Sequence, residues 1–161
     1  MRRLAGAVCI LTLRKDGARA GLTATAVMSV SAEPPRLMVC VNRSVFAHEL
    51  LDLGGALCVN VLGTSNLDDA RRFAGMVEGV SGDARFMGGA WFDVEDGAPA
   101  LADALATFQC RVIELMPAGS HTLVLCEVVA VGLPVNRAEP LPAEQPLVYF
   151  DGRFVSLGEL Q

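Results

Sequence analysis

Turn signals recur at short intervals along this chain and leave little room for long helices. Lys15-Asp16-Gly17, Glu33-Pro34-Pro35, Gly54-Gly55, Pro117-Ala118-Gly119-Ser120 and Asp151-Gly152 cut it into segments rich in β-branched and apolar residues. Residues 4–14 and 20–31 read as a hairpin about the first turn. Residues 37–41 and 56–62 are short, continuously apolar runs, the pattern of strands buried on both faces. A short strand at 91–94, a long hairpin of 105–116 with 122–133, and a closing pair at 147–150 and 153–157 complete the extended segments. Helical spacing is confined to 45–53, with Ser44 as N-cap, and to 67–74 behind Thr64-Ser65-Asn66. Seven to nine strands in antiparallel hairpins with two short helices predict a mainly β fold, a barrel or sandwich rather than a doubly wound parallel sheet. Residues 75–89 are Gly-rich and aperiodic, and a loop that long in a compact domain is usually functional.

The length of 161 residues predicts one domain over 1–161, large enough to bury a core without disulfide or metal support. A net charge of −5 with scattered basic residues argues against nucleic acid as a partner. Apolar residues make up 52% of the chain, yet no run reaches the length of a membrane-spanning helix. That excess predicts an oligomer interface or an apolar pocket. Cys9, Cys40, Cys58, Cys110 and Cys126 each sit in an apolar, strand-like run with no C-x-x-C spacing, so they read as buried thiols. With only His48 and His121 beside them, no metal site is expected. Free thiols in that number, and an amino terminus without a small-residue cleavage site, predict a cytoplasmic protein.

No G-x-G-x-x-G, P-loop or G-x-S-x-G pattern is present. The densest polar cluster is a hydroxyl stripe of Thr23, Thr25, Ser29 and Ser31, opposite Leu22, Ala24, Ala26, Met28 and Val30. Two readings stay open for it: a solvated face on an edge strand, or the polar wall of a site for a flat heteroaromatic ligand.

The run G-L-T-A-T-A-V-M-S-V-S-A-E-P-P-R-L-M-V-C-V-N-R-S over 21–44 resembles the opening signature of the flavin reductase-like family. Three further landmarks follow in the family's order: C-V-N-V-L at 58–62 with R-R-F-A-G at 71–75, G-S-H at 119–121, and P-L-V-Y-F-D-G-R-F at 146–154. The resemblance covers nearly the whole chain, although relatives usually carry a helical lead-in before the first strand. It implies an FMN-binding split β-barrel, a Greek-key antiparallel barrel with a few short helices.

It also implies roles. Thr23, Ala24, Thr25 and Ala26 match the stretch that lines the flavin ring and ribityl chain, and Ser29 and Val30 match positions beneath the ring. Cys40, Val41 and Asn42 match backbone contacts to the flavin, and Arg43 with Ser44 matches a phosphate site at the first helix start, where free N–H groups favour an anion. Arg72, Phe73, Ala74 and Gly75 match the second motif near the phosphate, with a solvated helix arginine as the other reading of Arg72. His121 matches the histidine where the nicotinamide approaches; the family's G-D-H is here G-S-H, so Ser120 stands where relatives carry a carboxylate. Tyr149 falls at the pocket edge.

The activity implied is hydride transfer from NADH or NADPH to FMN or FAD, with reduced flavin passed to a separate flavin-dependent monooxygenase, by a homodimer. Nucleotide and flavin bring the redox chemistry, which accounts for the lack of an acid–base pair. A non-catalytic flavin- or haem-type-binding protein on the same barrel is the alternative.

Overall fold

The computed structural model describes residues 2–134 and 144–157. The first strand region, expected as one piece, divides at Val8 into β1 (Gly6–Ala7) and β2 (Cys9–Lys15). Val8 is fully buried; its N–H donates to Leu147 O at 2.9 Å and its carbonyl accepts from Leu62 N at 3.0 Å. The chain thus steps from one sheet to another at that residue. The second region also divides, into β3 (Ala18–Ala24) and β4 (Val27–Ala32), followed by β5 (Pro35–Asn42) and β6 (Ala56–Val61). Two short strands, β7 (Trp91–Phe92) and β8 (Ala100–Leu101), precede the long hairpin of β9 (Ala106–Ala118) and β10 (His121–Gly132) and the closing pair β11 (Leu147–Phe150) and β12 (Arg153–Ser156).

Seven strands form one antiparallel sheet in the order β3-β2-β6-β9-β10-β5-β4, while β1, β11 and β12 form a second. β3 and β4 are the opposite edges of the large sheet, yet only Thr25 and Ala26 separate them in sequence. In a flat sheet those edges would be about 29 Å apart, six spacings of roughly 4.8 Å. Three Cα–Cα steps reach only about 11 Å. The sheet therefore curls until its edges approach at that corner, where Cys40 N donates to Ala26 O at 3.1 Å and so extends the β4–β5 ladder into the corner. This is the expected mainly β barrel. The hydroxyl stripe is consequently split. Thr23 stays with one edge, whereas Ser29 and Ser31 go to the other, with Val30 the extra residue at a bulge between them.

Inside the barrel, Leu11, Leu13, Val39, Val41, Leu57, Val59 and Val124 pack together. A second cluster lies outside it, where α1 (Leu67–Phe73) brings Ala70 and Phe73 against Val8, Ile10, Phe86, Leu101 and Leu147. Phe73, Phe86 and Trp91 meet there as an aromatic triad, with ring centroids 5.0 to 5.2 Å apart. Buried polar groups fasten residues 98–101 to the barrel. Asn60 accepts from Leu101 N at 2.8 Å and donates to Ile10 O at 3.0 Å, and the Gln109 amide pairs with both backbone groups of Ala98.

Two helical expectations change. Residues 45–53 do not form an α-helix; a 3-10 turn runs Phe46–Leu50, entered through Val45 in an extended conformation. Ser44 is not its cap, because both its N–H and its hydroxyl donate to Asn42 Oδ1, each at 2.9 Å. In residues 64–66 the caps make a 3-10 turn of their own ahead of α1, closed by Gly63 N donating to Asn66 Oδ1 at 2.9 Å. The 75–89 loop holds a further 3-10 turn, Gly82–Met87. Most of the 134–146 connection lies outside the described residues. Among the described residues no helix is long and apolar enough to cross a membrane.

Candidate functional site: a nucleotide-sized groove at the barrel closure

The closure of the barrel leaves a groove of about 400 Å³. Its floor is the corner Leu22 to Ala26, where β3 ends and β4 has not begun. One wall is the C-terminal end of α1, with Phe73 and Ala74; the other is the paired ends of β5 and β10, with Cys40, Asn42 and His121. Register explains that second wall. His121 is the partner of Asn42, and Leu123 the partner of Cys40, so His121, Cys40 and Asn42 come together on the outward face while Val41 and Val124 point into the barrel. A shallower extension over Thr23, Thr25 and Ala74 reaches Met76, Tyr149 and Phe154.

Of the residues singled out in the sequence, Thr23, Ala24, Thr25, Ala26, Cys40, Asn42, Phe73, Ala74 and His121 line the groove, and Tyr149 lines its extension. Others lie elsewhere. Ser29 and Val30 are exposed on the edge strand β4, and Val41 is fully buried in the barrel core. Arg43 is exposed and turned toward β10, its N–H donating to Ser120 O at 3.0 Å and its Nε to Thr122 Oγ1 at 3.5 Å. Ser44 is held by Asn42, and the 3-10 turn that follows it offers no helix start for a phosphate. Arg72 lies under the 75–89 loop, where a Cβ on Gly88 would meet its Nε at 2.5 Å. Gly75, at φ +72°, ends the turn after α1 beside Arg85.

Polar groups in the groove are partly committed already. Thr23 Oγ1 donates to Ala70 O at 2.7 Å, which ties β3 to α1 and leaves that hydroxyl only its acceptor lone pairs for a ligand. Asn42 commits its oxygen to Ser44 and keeps its Nδ2 amide free. Ser120 Oγ lies 2.9 Å from His121 Nδ1, leaving Nε2 as the ring's open nitrogen. Neighbouring His48 plays a structural part, with Nε2 at 2.8 Å from Thr122 Oγ1. Cys40 is the one half-buried thiol; burial pushes the thiols of Cys9, Cys58 and Cys126 up to about 12, which keeps them neutral.

Arg85 is the residue that the motifs did not single out. It stands in the Gly82–Met87 turn, lines the groove, and donates Nη1 to Gly21 O at 3.2 Å and to Phe73 O at 3.4 Å. Among the described residues its buried Nε has no hydrogen-bond partner. The only available signal was that Arg85 is the one basic residue of the Gly-rich 75–89 loop. Among the described residues no carboxylate lines the groove or its extension, so a net-negative protein presents a local cation there. A cavity of about 460 Å³ at the far end of the barrel carries both signs of charge, with Asp16, Asp93, Glu95 and Asp96 beside Arg14 and Lys15.

A curled antiparallel barrel whose closure leaves a groove with one half-buried arginine and, among the described residues, no carboxylate defines a β-barrel protein with a candidate site for an anionic ligand. Comparison makes the class specific. The chain belongs to the flavin reductase like domain family, whose profile matches residues 1–158. It is 47% identical over 131 residues to an "FMN reductase (NADH) RutF 1" of Methylorubrum extorquens, covering 81% of this chain and 64% of that protein. The chain therefore spans just under two thirds of that relative's length. Among solved structures it is similar to the Streptomyces globisporus C-1027 NADH:FAD oxidoreductase SgcE6 in complex with NAD and FAD fragments, at TM-score 0.81 and 28% identity over 98% of this chain and 88% of that one. The styrene monooxygenase flavin reductase of Pseudomonas putida S12 matches at TM-score 0.80 and 28% identity over 99% and 96% of the two chains.

Proposed function

We propose that the protein is an NAD(P)H:flavin oxidoreductase that reduces FMN or FAD and supplies the reduced flavin to a separate flavin-dependent monooxygenase. The observation that carries this reading is the groove's donor set, a half-buried Arg85 with an unpartnered Nε beside uncharged donors and, among the described residues, no carboxylate. That set fits a flavin nucleotide. The arginine suits a phosphate, and Thr25, Asn42 Nδ2 and His121 are polar groups for the rim of a flat ring. The chemistry supplied by the bound nucleotides is transfer of a hydride from nicotinamide to flavin. With these groups bound, Arg85 would hold a phosphate, Leu22, Val45 and Phe73 would keep water from the groove, and Thr25, Asn42 and His121 would offer polar groups to a ring.

NADH as reductant is supported by the relative named as an NADH-dependent FMN reductase, and an oxygenase partner by the styrene monooxygenase reductase. The working unit is a homodimer. Met28 of β4 is 58% exposed and in register with Met38 of β5, which in turn pairs with Leu125 of β10. This apolar row runs on the outward face next to Cys40 and His121, so a second copy seated there would close over the groove. Free thiols at all five cysteines support a cytoplasmic setting.

Purified protein given NADH or NADPH, with and without free FMN or FAD, tests the activity. Flavin-dependent loss of nicotinamide absorbance is expected with at least one pair. Flavin binding without any nucleotide oxidation would instead make the protein a non-catalytic carrier.

A further inference from the structure

Gly6 of β1 has an ordinary strand backbone, outside the left-handed region that calls for glycine. Its lack of a side chain is explained instead by what it packs against. A Cβ there would lie 3.0 Å from Cβ, 3.2 Å from the carbonyl oxygen and 3.7 Å from Cγ2 of Thr25. All three atoms belong to one residue, and that residue lines both the groove and its extension, whereas Gly6 lines neither. The hydroxyl is not among them, so β1 supports Thr25 from its methyl side.

The strand has no freedom to retreat from this contact. Gly6 and Ala7 pair with Tyr149 and Val148, and Val8 after them is bonded to Leu147 O and Leu62 N. The corner is fastened on either side of the contact as well, since Ala24 pairs with Cys9 and Ala26 O accepts from Cys40 N. Among the described residues Thr25, between those two, has no strand partner, so packing sets its place. The same strand pair reaches the site a second time. Tyr149, the register partner of Gly6, stands against Phe154 with ring centroids 5.1 Å apart, and both rings line the extension.

We propose that Gly6 is a positioning residue of the flavin site. Bare at this point, β1 is the backstop that sets how far Thr25 stands into the groove, and the small sheet of β1, β11 and β12 is thereby part of the site. The proposal rests on the reductase reading. A side chain at position 6 moves Thr25 forward, because β1 cannot move back, and narrows the groove where the flavin is held.

Dissociation constants for FMN are read by quenching of flavin fluorescence, and nicotinamide KM values at saturating FMN. Gly6→Ala is expected to weaken FMN about three- to tenfold and Gly6→Val further, with the nicotinamide KM within about twofold. In a Thr25→Gly background, which lacks the Cβ that Gly6 approaches, Gly6→Ala should change the FMN constant by less than about twofold. A lower Tm with the FMN constant unmoved in Gly6→Ala would mean a role in folding alone and would overturn the proposal. An equal loss of FMN affinity in both backgrounds would overturn it too, by placing the effect away from Thr25. Gly6→Ala adds one methyl group at a half-buried position, which keeps the test decisive even if Gly6→Val does not fold. Failure of the unsubstituted protein to bind any flavin would overturn the reductase reading beneath it, and is seen separately.

Discussion

Ser120 Oγ lies 2.9 Å from His121 Nδ1, across the turn that opens β10. A hydroxyl both donates and accepts, so it fixes the imidazole plane without imposing a charge on it. The ring of His121 is thereby oriented through Nδ1, and its Nε2 is left open.

Removing that orienting contact should affect the nicotinamide more than the flavin. Ser120→Ala is expected to raise the nicotinamide KM about fivefold, the value of one ordinary hydrogen bond, with the flavin Kd within about twofold. His121→Ala should raise it further. Steady-state kinetics check both, and an unchanged KM in His121→Ala would remove that residue from the site.

Arg85 is expected to recognise phosphate rather than the ring system. Arg85→Ala should weaken FMN roughly ten- to a hundredfold, as befits a charge-assisted contact, while riboflavin, which lacks the phosphate, changes little. Comparison with riboflavin also corrects for the lost bonds to Gly21 O and Phe73 O. Arg72→Ala and Arg43→Ala should leave FMN within about twofold, since neither lines the groove. Equal losses for FMN and riboflavin in Arg85→Ala would contradict the assignment.

These residues divide by how local their signals were. Strands and turns were legible, because β-rich runs between Gly, Pro and Asp signals need only neighbours in sequence to be recognised. Nothing local marks the break between β3 and β4. Thr25 and Ala26 are ordinary strand residues, and the corner exists only because the sheet curls. The N-cap reading of Ser44 failed for a similar reason, since Asn42, two residues earlier, captures the hydroxyl first. His121, Cys40 and Asn42 were each named through resemblance, but their meeting is a matter of strand register. Arg85 was hidden because its position depends on Phe86 docking into the aromatic cluster and on Arg19 holding Asp83.

Gly21 of β3 packs closely against Phe73 of α1. A Cβ there would lie 2.5 Å from Phe73 Cε1 and 3.1 Å from Leu11 O, and neither a buried ring nor a strand carbonyl can move aside cheaply. Gly21→Ala is expected to destabilise the fold by about 1–3 kcal/mol, the cost of overpacking, read as a lower Tm or denaturant midpoint. Gly21→Ala with Phe73→Leu should lose less than the sum of the two single changes, because the smaller side chain makes room. Strict additivity would show that the contact is not the cause.

The outward row of Met28, Met38 and Leu125 predicts self-association. Sedimentation at micromolar concentration should give a dimer for the unsubstituted protein and a monomer for Met38→Glu with Leu125→Glu, which places two like charges on the face of each copy. An unsubstituted protein that is monomeric at that concentration would contradict the interface.

The turn that carries Arg85 is anchored through Arg19, which bonds Asp83 and lies 4.4 Å from the centroid of Phe86. The hydrogen bond from Arg19 holds the Asp83 carboxyl below its ordinary value. A carboxyl depressed in the folded state contributes anchoring that is fully present above its ordinary pKa. That contribution is lost as pH falls through the depressed one. The turn should therefore loosen only in acid, below the usual carboxylate range, and not near neutrality. Trp91, the single tryptophan, packs 5.2 Å from Phe86 and reports on that loosening by fluorescence. In Asp83→Asn the acid step should vanish, with the neutral-pH signal shifted toward that of the loosened state. The other carboxylate acting on Arg19, Asp93, is bonded to Arg14 and remains in the variant. An acid step of equal size in both proteins would place its origin there or elsewhere, and would sink the assignment to Asp83.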